Sequence, residues 1–379
     1  MIRSRTDLQR VKRLVVKIGS SLLADRTTGV NQHLVNQLAD EVAAFMAAGR
    51  EVAIVSSGAV ALGCVHMGWV GRQLSVHEKQ AAAAIGQTSL MRAYEQAFGR
   101  HGLGVAQMLL TKDDLRHRRR YLNASNTSET LFSAGVIPVV NENDTVVVQE
   151  IKFGDNDSLG ALASLMIDAD LLAMLTDVDA LYEANPMTTP DAGRIGVVEA
   201  ITPKIIAMAG DADSHFGTGG MASKLRAARI ATRGGVTVAI VSGQDAGILS
   251  RLLDGEDTGT LFLCGTDRHT RRQHWIADVL HPAGVIRVDG GAESALLEQG
   301  SSLLPVGVVE IEGTFDKGEC VEIAGPSGPI ARGLCNYSSD EMLKIIGASS
   351  NDIETILGYR DFSSVIHRDN LVLCRDADG

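Results

Sequence analysis

From Leu14 to about Phe262, short apolar runs alternate with longer stretches whose apolar residues recur three and four positions apart. The short runs are Leu14–Ile18, Val52–Val55, Gly104–Leu110, Ile137–Val140, Leu171–Leu175 and Val236–Ile240. Their near-continuous apolar character predicts strands buried on both faces. The stretches Leu34–Ala48 and Lys79–Phe98 are alanine-rich and carry the helical period, and Asn156–Ile167 and Met221–Thr232 read the same way. Strands alternating with helices predict an α/β domain with a mainly parallel sheet covered by helices on both faces. In such sheets ligands meet the C-terminal ends of strands, so the polar residues just after each run are the first candidates for chemistry.

Two segments break the alternation, and a third follows it. Thr145–Lys152 is rich in β-branched residues and runs into Phe153-Gly154-Asp155, which predicts a hairpin or flap. Ala184–Gly193 is turn-rich and reads as a loop, and Cys264–Gln273 reads as a charged surface link. From about Pro282 the pattern changes to short strands at Gly284–Asp289, Gly307–Glu312, Glu319–Ile323 and Leu371–Cys374, with helical pieces at Gly291–Glu298 and Ser338–Ile346. This predicts a second, small and β-rich domain.

The length of 379 residues suits two or three domains, and 45 % apolar residues suffice for a real core. Forty glycines with only 8 prolines suit tight turns between regular elements rather than collagen or disorder. The net charge is −11, and residues 281–379 hold 7 Lys and Arg against 16 Asp and Glu. That balance argues against nucleic-acid binding as the main activity, because such binding needs a basic footprint. The five cysteines, Cys64, Cys264, Cys320, Cys335 and Cys374, are odd in number and include no C-x-x-C pair, which predicts reduced thiols rather than a zinc site or disulfide framework. With no signal-peptide pattern and no apolar run long enough to span a bilayer, the expected location is the cytoplasm, with no membrane partner.

Six polar strings follow the predicted strands or open the predicted helices. Val15-Val16-Lys17-Ile18-Gly19-Ser20-Ser21 ends a buried strand in a lysine and a glycine turn, which suits an anionic ligand; a lysine snorkelling from a sheet edge would give the same string. Ile54-Val55-Ser56-Ser57-Gly58-Ala59 offers hydroxyls and a helix start, for an anion or for a plain cap. Asn141-Glu142-Asn143-Asp144 puts four polar groups straight after an apolar strand, as ligand contacts or as an Asx-type turn; Asp144 is the natural partner for a substrate ammonium group. Gly154-Asp155-Asn156-Asp157 opens a helix with more acid and amide than a cap needs, and Asp157 is the candidate for holding lysines in place. Thr176-Asp177-Val178-Asp179 is either a ligand site or a capped turn. Gly217-Thr218-Gly219-Gly220-Met221-Ala222-Ser223-Lys224 exposes backbone N–H groups beside a lysine at a helix start, which suits phosphate better than an ordinary turn does.

Neither a Walker A loop nor a G-x-G-x-x-G fingerprint occurs, and His367-Arg368-Asp369 lacks the rest of a protein-kinase signature. His66 and His77 lack metal-site spacing, and Arg116-His117-Arg118-Arg119-Arg120 reads first as a solvated helix face. On residues alone the chain is a phosphate-binding α/β enzyme.

Seven strings narrow this: VVKIGSS at 15–21, IVSSGAV at 54–60, AAIGQ at 83–87, PVVNEND at 138–144, FGDNDSL at 153–159, MLTD at 174–177 and FGTGGMASK at 216–224. With them the chain resembles the amino acid kinase fold and, within it, the glutamate 5-kinase family. SSLLPVGV at 301–308 and ARG at 331–333 resemble the PUA domain appended to many bacterial members. The resemblance implies a kinase domain over 11–263, a linker over 264–280, a PUA-like domain over 281–367 and a tail over 368–379. It implies the reaction of ATP with L-glutamate to give ADP and L-glutamyl 5-phosphate, with Mg²⁺ bridging the nucleotide phosphates and no protein side chain assigned to the metal. By the same carry-over, Lys17 and Lys224 bind the transferring phosphoryl group and Asp157 orients them as the third catalytic residue. Ser57, Asp144 and Asn156 hold glutamate. Lys17, Gly19, Thr176, Asp177, Thr218, Gly219, Gly220, Met221, Ala222, Ser223 and Lys224 form the nucleotide site. Met174 stands where leucine is frequent in the family, a change without chemical consequence. The family further implies a homo-oligomer, either dimer or tetramer, feedback inhibition by proline, and a glutamyl-phosphate reductase as the next enzyme. A PUA domain often means RNA binding, but the acidity of residues 281–379 argues against it here. The same fold also carries acetylglutamate, aspartate, carbamate and uridylate kinases.

Overall fold

The computed structural model describes residues 2–25, 29–146, 156–186, 188–189, 191–208, 220–265 and 280–374. They divide into two compact units, one within Met1–Lys112 and Ala124–Thr266, the other within Asp113–Asn123 and Asp267–Gly379.

The first unit is built on an eight-stranded sheet. Its strands are β1 (Arg13–Ile18), β2 (Glu51–Val55), β3 (Val105–Leu110), β4 (Ile137–Glu142), β5 (Leu171–Thr176), β6 (Val197–Val198), β7 (Thr237–Ser242) and β8 (Thr260–Phe262). The order is β6-β8-β7-β5-β1-β2-β4-β3. Every neighbouring pair is parallel except β7 with β8. All six residues of β5 and of β7 are buried, as the apolar runs predicted for strands covered on both faces. Each strand foreseen from the pattern is present, within two residues of its expected ends.

The helices begin where the chain supplies caps. In α1 (Gln32–Ala47) the Asn31 side chain accepts from the Leu34 N–H, and α3 (Val76–Gly99) opens on a capping box between Ser75 and Glu78. Between them, α2 (Ala59–Met67) starts at Gly58, whose φ of 94° places it in the left-handed region that glycine adopts freely. α2 and α3 meet backbone to backbone: a Cβ on Gly63 would stand 1.8 Å from the Ala82 carbonyl oxygen, and one on Gly86 1.8 Å from that of Ala59. Three more helices are α4 (Arg118–Ser133), α5 (Asn156–Met166) and α6 (Met221–Arg233). Of the expected flap at 145–152, only Thr145 and Val146 lie among the described residues, in a turn. The expected loop Ala184–Gly193 joins a two-stranded ribbon, Leu181–Tyr182 with Arg194–Ile195. Beyond Gly265 the expected charged link falls outside the described residues.

The second unit carries a five-stranded sheet of β9 (Gly284–Val288), β10 (Val308–Gly313), β11 (Cys320–Gly325), β12 (Gly328–Leu334) and β13 (Leu371–Leu373), in the order β10-β9-β11-β12-β13. Its own core includes Ile286, Val321, Ile323, Tyr337, Met342 and Val365. Two features differ from the boundaries drawn on sequence. β13 pairs with β12, so residues past 367 belong to this sheet rather than to a tail. Asp113–Asn123 groups with this unit, where Arg116 hydrogen-bonds the His281 ring at 2.9 Å, so the division is not one cut in the chain. β12 escaped the pattern because two glycines and Pro329 interrupt it; the proline sits where the register with β11 shifts. Among the described residues no helix is long and apolar enough to cross a membrane.

Candidate active site

Lys17 lies near the end of β1, opposite Val55 of β2 and Met174 of β5, in the middle of the sheet. Only 6 % of it is exposed, and a buried ammonium group needs a counter-charge. Asp157, 1 % exposed in the first turn of α5, supplies it. One carboxylate oxygen, Oδ1, takes the Lys17 ammonium group. The other, Oδ2, lies 3.6 Å from Lys224 Nζ and accepts from Ser223 Oγ at 2.6 Å. Lys224 is 5 % exposed and sits in the first turn of α6. Two ammonium groups distant in sequence are therefore held on either side of a single carboxylate.

The electrostatics follow from that geometry. Burial works against the charge on Asp157, but Lys17 and Lys224 outweigh it and hold the carboxyl below its usual range. Burial draws the Lys224 ammonium below its usual range; Asp157 opposes the shift, Lys17 adds to it, and Asp177 opposes it again. An anion arriving between the lysines would favour their charged forms.

A second cluster begins one residue earlier. Asn156 Nδ2 donates to Ser56 O (2.7 Å), to Asn141 Oδ1 (3.0 Å) and to Ser57 Oγ (3.2 Å). These acceptors come from the ends of β2 and β4, which lie side by side with Val55 opposite Val140. Asp144 follows in the turn after β4. Burial and the neighbouring Glu142 carboxylate push its carboxyl up to about 7.

The expected nucleotide residues divide. Thr176, buried at the end of β5, donates from Oγ1 to Asp177 Oδ1 at 3.0 Å. Gly220 precedes α6, and Met221, Ala222, Ser223 and Lys224 form its first turn. Thr218 and Gly219 lie outside the described residues. The Gly19 N–H donates to Leu175 O at 3.2 Å, so this turn is fixed to the end of β5 and that donor is already engaged. Among the described residues no three His, Cys, Asp or Glu side chains group as metal ligands.

Sequence reasoning placed Ser223 in the nucleotide loop and missed its bond to Asp157. It also missed Gln87, whose Oε1 accepts from Asn141 Nδ2 at 2.8 Å. The AAIGQ string was the available signal for Gln87.

The model of the amino acid kinase family matches residues 12–242, and that of the PUA domain matches residues 284–357. The chain is similar to the glutamate 5-kinase of Geobacter sulfurreducens, with 53 % identity over 367 residues, 97 % of this chain and 98 % of the other. It is similar over the same shares to that of Trichlorobacter lovleyi, at 51 %, and to that of Chromohalobacter salexigens, at 48 % over 98 % of each chain. The chain belongs to the glutamate 5-kinase family. In this member of the family the two clusters share one helix start, with Asn156 in the first and Asp157 in the second.

Proposed function

We propose that the chain transfers the γ-phosphoryl group of ATP to the side-chain carboxylate of L-glutamate, yielding ADP and L-glutamyl 5-phosphate, the first step of proline biosynthesis. The observation that carries this reading is the single carboxylate of Asp157 between the Lys17 and Lys224 ammonium groups, next to the amide of Asn156.

The acceptor carboxylate is ionised at neutral pH, with a reference pKa of about 4.3, so no general base is needed. The barrier lies in bringing two anions together in line with the leaving oxygen. Positioning and charge neutralisation therefore do the work. Lys17 and Lys224 contact the transferring phosphoryl group, and Asp157 keeps them charged and apart. Ser57 and Asn156 hold the amino acid, and Asp144 pairs with its ammonium group. Thr176, Asp177 and the 218–224 segment hold the nucleotide. Mg²⁺ bound with the nucleotide would supply further positive charge to the transfer.

The product is a labile acyl phosphate, so a reductase that consumes it promptly is the expected next enzyme. Assembly as a dimer or tetramer and inhibition by proline belong to the same reading, as does a cytoplasmic location. The second unit serves regulation or assembly; its excess of acidic residues disfavours a phosphate backbone.

Measuring ADP release with glutamate, N-acetylglutamate and aspartate, each with and without proline, tests the proposal. Glutamate should be preferred by orders of magnitude and proline should suppress its turnover. Turnover with N-acetylglutamate or aspartate at a comparable kcat/KM would overturn the assignment.

A further inference from the structure

We infer that Gln87 is a positioning residue for the amino-acid substrate, acting through a one-way relay of side-chain amides that ends at Asn156. The inference rests on the placing of Asn156 in the glutamate site.

The relay runs Asn156 to Asn141 (3.0 Å), Asn141 to Gln87 (2.8 Å) and Gln87 to Gln107 (3.1 Å), each NH₂ donating to the next carbonyl. Two backbone groups set its direction. Asn156 Nδ2 faces the Ser56 carbonyl oxygen, which can only accept, and Asn141 Oδ1 faces the Glu142 N–H at 2.9 Å, which can only donate. With both ends so constrained, Asn141 must turn its NH₂ towards residue 87, and residue 87 must answer with an acceptor. Asn141 is 1 % exposed, so an unanswered NH₂ there could not turn to water.

The polarity matters at the substrate end. Three acceptors already compete for the two hydrogens of Asn156 Nδ2. The group Asn156 has left to present is its carbonyl oxygen, which takes a donor such as an ammonium group. Without an acceptor at 87, the buried Asn141 NH₂ loses its partner, and nothing then holds the side chain in the position from which its carbonyl oxygen fixes Asn156.

The scaffold holds Gln87 firmly enough for this task. It follows Gly86, whose missing side chain lets α3 touch the first turn of α2, which Gly58 separates from Ser56 and Ser57. Ser56 Oγ is also bonded to Tyr94 OH, two turns further along α3, at 3.0 Å.

The test compares Gln87→Met, which fills the space and leaves only the weak acceptor of a thioether, with Gln87→Glu, which keeps a strong one; the exposed Gln107 can turn its amide to donate to the new carboxylate. Gln87→Met should raise the glutamate KM about tenfold, with the ATP KM within about twofold and kcat within about threefold of the parent. Gln87→Glu should recover the glutamate KM to within about threefold. An unmoved glutamate KM in Gln87→Met overturns the inference, as does an equal loss in the two variants or an equal rise in both KM values. If Gln87→Met does not fold, Gln107→Leu at the exposed end serves instead, with an expected rise of about threefold and no rise as the overturning result. Asn156→Ala separates this inference from the site it rests on. An unchanged glutamate KM there removes Asn156 from the substrate site and the relay's purpose with it. A raised KM there beside an unmoved Gln87→Met overturns the relay alone.

Discussion

Gly160 lets the helix that carries Asp157 rest on the stem of Lys17: a Cβ at position 160 would stand 3.2 Å from Lys17 Cγ and 3.4 Å from its Cβ. The carboxylate and the lysine it holds are thus set by one close approach of α5 to β1. Alanine in a helix interior is favoured over glycine by roughly 1 kcal/mol, so Gly160→Ala should not weaken the fold through propensity. It must displace Lys17 or α5 by a few tenths of an ångström. The expected result is a several-fold lower kcat with a melting temperature within a few degrees of the parent. An unchanged kcat would mean that the lysine stem absorbs the methyl group without moving its ammonium end.

Lys224 and Asp157 should fail differently when neutralised. On the proposed mechanism Lys224→Met removes a positive charge from the developing phosphoryl transition state, and loss of one such donor costs about 10²–10³ in kcat. The glutamate KM should move far less. Asp157→Asn leaves two buried ammonium groups without their common counter-ion, and breaking a buried pair in this way costs roughly 3–5 kcal/mol of stability. It should therefore lower kcat and the denaturant midpoint together, whereas Lys224→Met should lower kcat with a smaller loss of stability. Denaturant titration beside steady-state kinetics checks this; equal stability loss in the two variants would count against Asp157 as the shared counter-ion.

Much of this site was legible before any coordinates. Lys17 ends an apolar run, and Lys224 follows a glycine loop at a helix start, so each could be proposed from its own neighbourhood. Asp157 could be suspected because a cap needs fewer acids than FGDNDSL supplies. What local pattern could not supply was the allocation of partners. Nothing near Asp157 says that Oδ1 takes Lys17 while Oδ2 is shared by Lys224 and Ser223, since those contacts arise when β1, α5 and α6 pack. Glycine is unfavourable inside a helix, and at Gly86 and Gly160 the crossing backbone at Ala59 and the stem of Lys17 account for it. Asn141 and Gln87 look like separate polar residues until strand β4 and helix α3 bring their amides together.

Arg5 illustrates a role with no local signature. Its guanidinium donates to the carbonyl oxygens of Thr258 and Gly196, both at 2.7 Å, and of Gly259 and Glu256, both at 3.1 Å. It also pairs with Asp257 at 3.2 Å. One side chain thus binds the turn before β8 to the residue before β6. Arg5→Met keeps the aliphatic stem and removes these donors. Part-buried carbonyls left unpaired cost about 1–3 kcal/mol each before water reaches them, so a net loss of about 2 kcal/mol is expected. Denaturant unfolding should register that loss while the glutamate and ATP KM values stay near those of the parent. Unchanged stability would mean that water replaces the guanidinium at little cost.

Asp144 should make glutamate binding depend on pH near neutrality. Burial and then the Glu142 carboxylate raise its carboxyl to about 7, so the free protein gains the negative charge only as pH rises through that value. Below it, Asp144 is neutral and loses its attraction for a substrate ammonium group. The glutamate KM should therefore rise as pH falls from about 8 to about 6, with the ATP KM changing little over that range. Asp144→Asn should raise the glutamate KM at pH 8 and flatten the profile, because the titrating group is gone. Glu142→Gln should shift the midpoint downward, since it removes the repulsion that Glu142 adds. Steady-state kinetics across that range, with each substrate varied in turn, decide the matter; a parent profile without a slope in glutamate KM would detach Asp144 from the ammonium group.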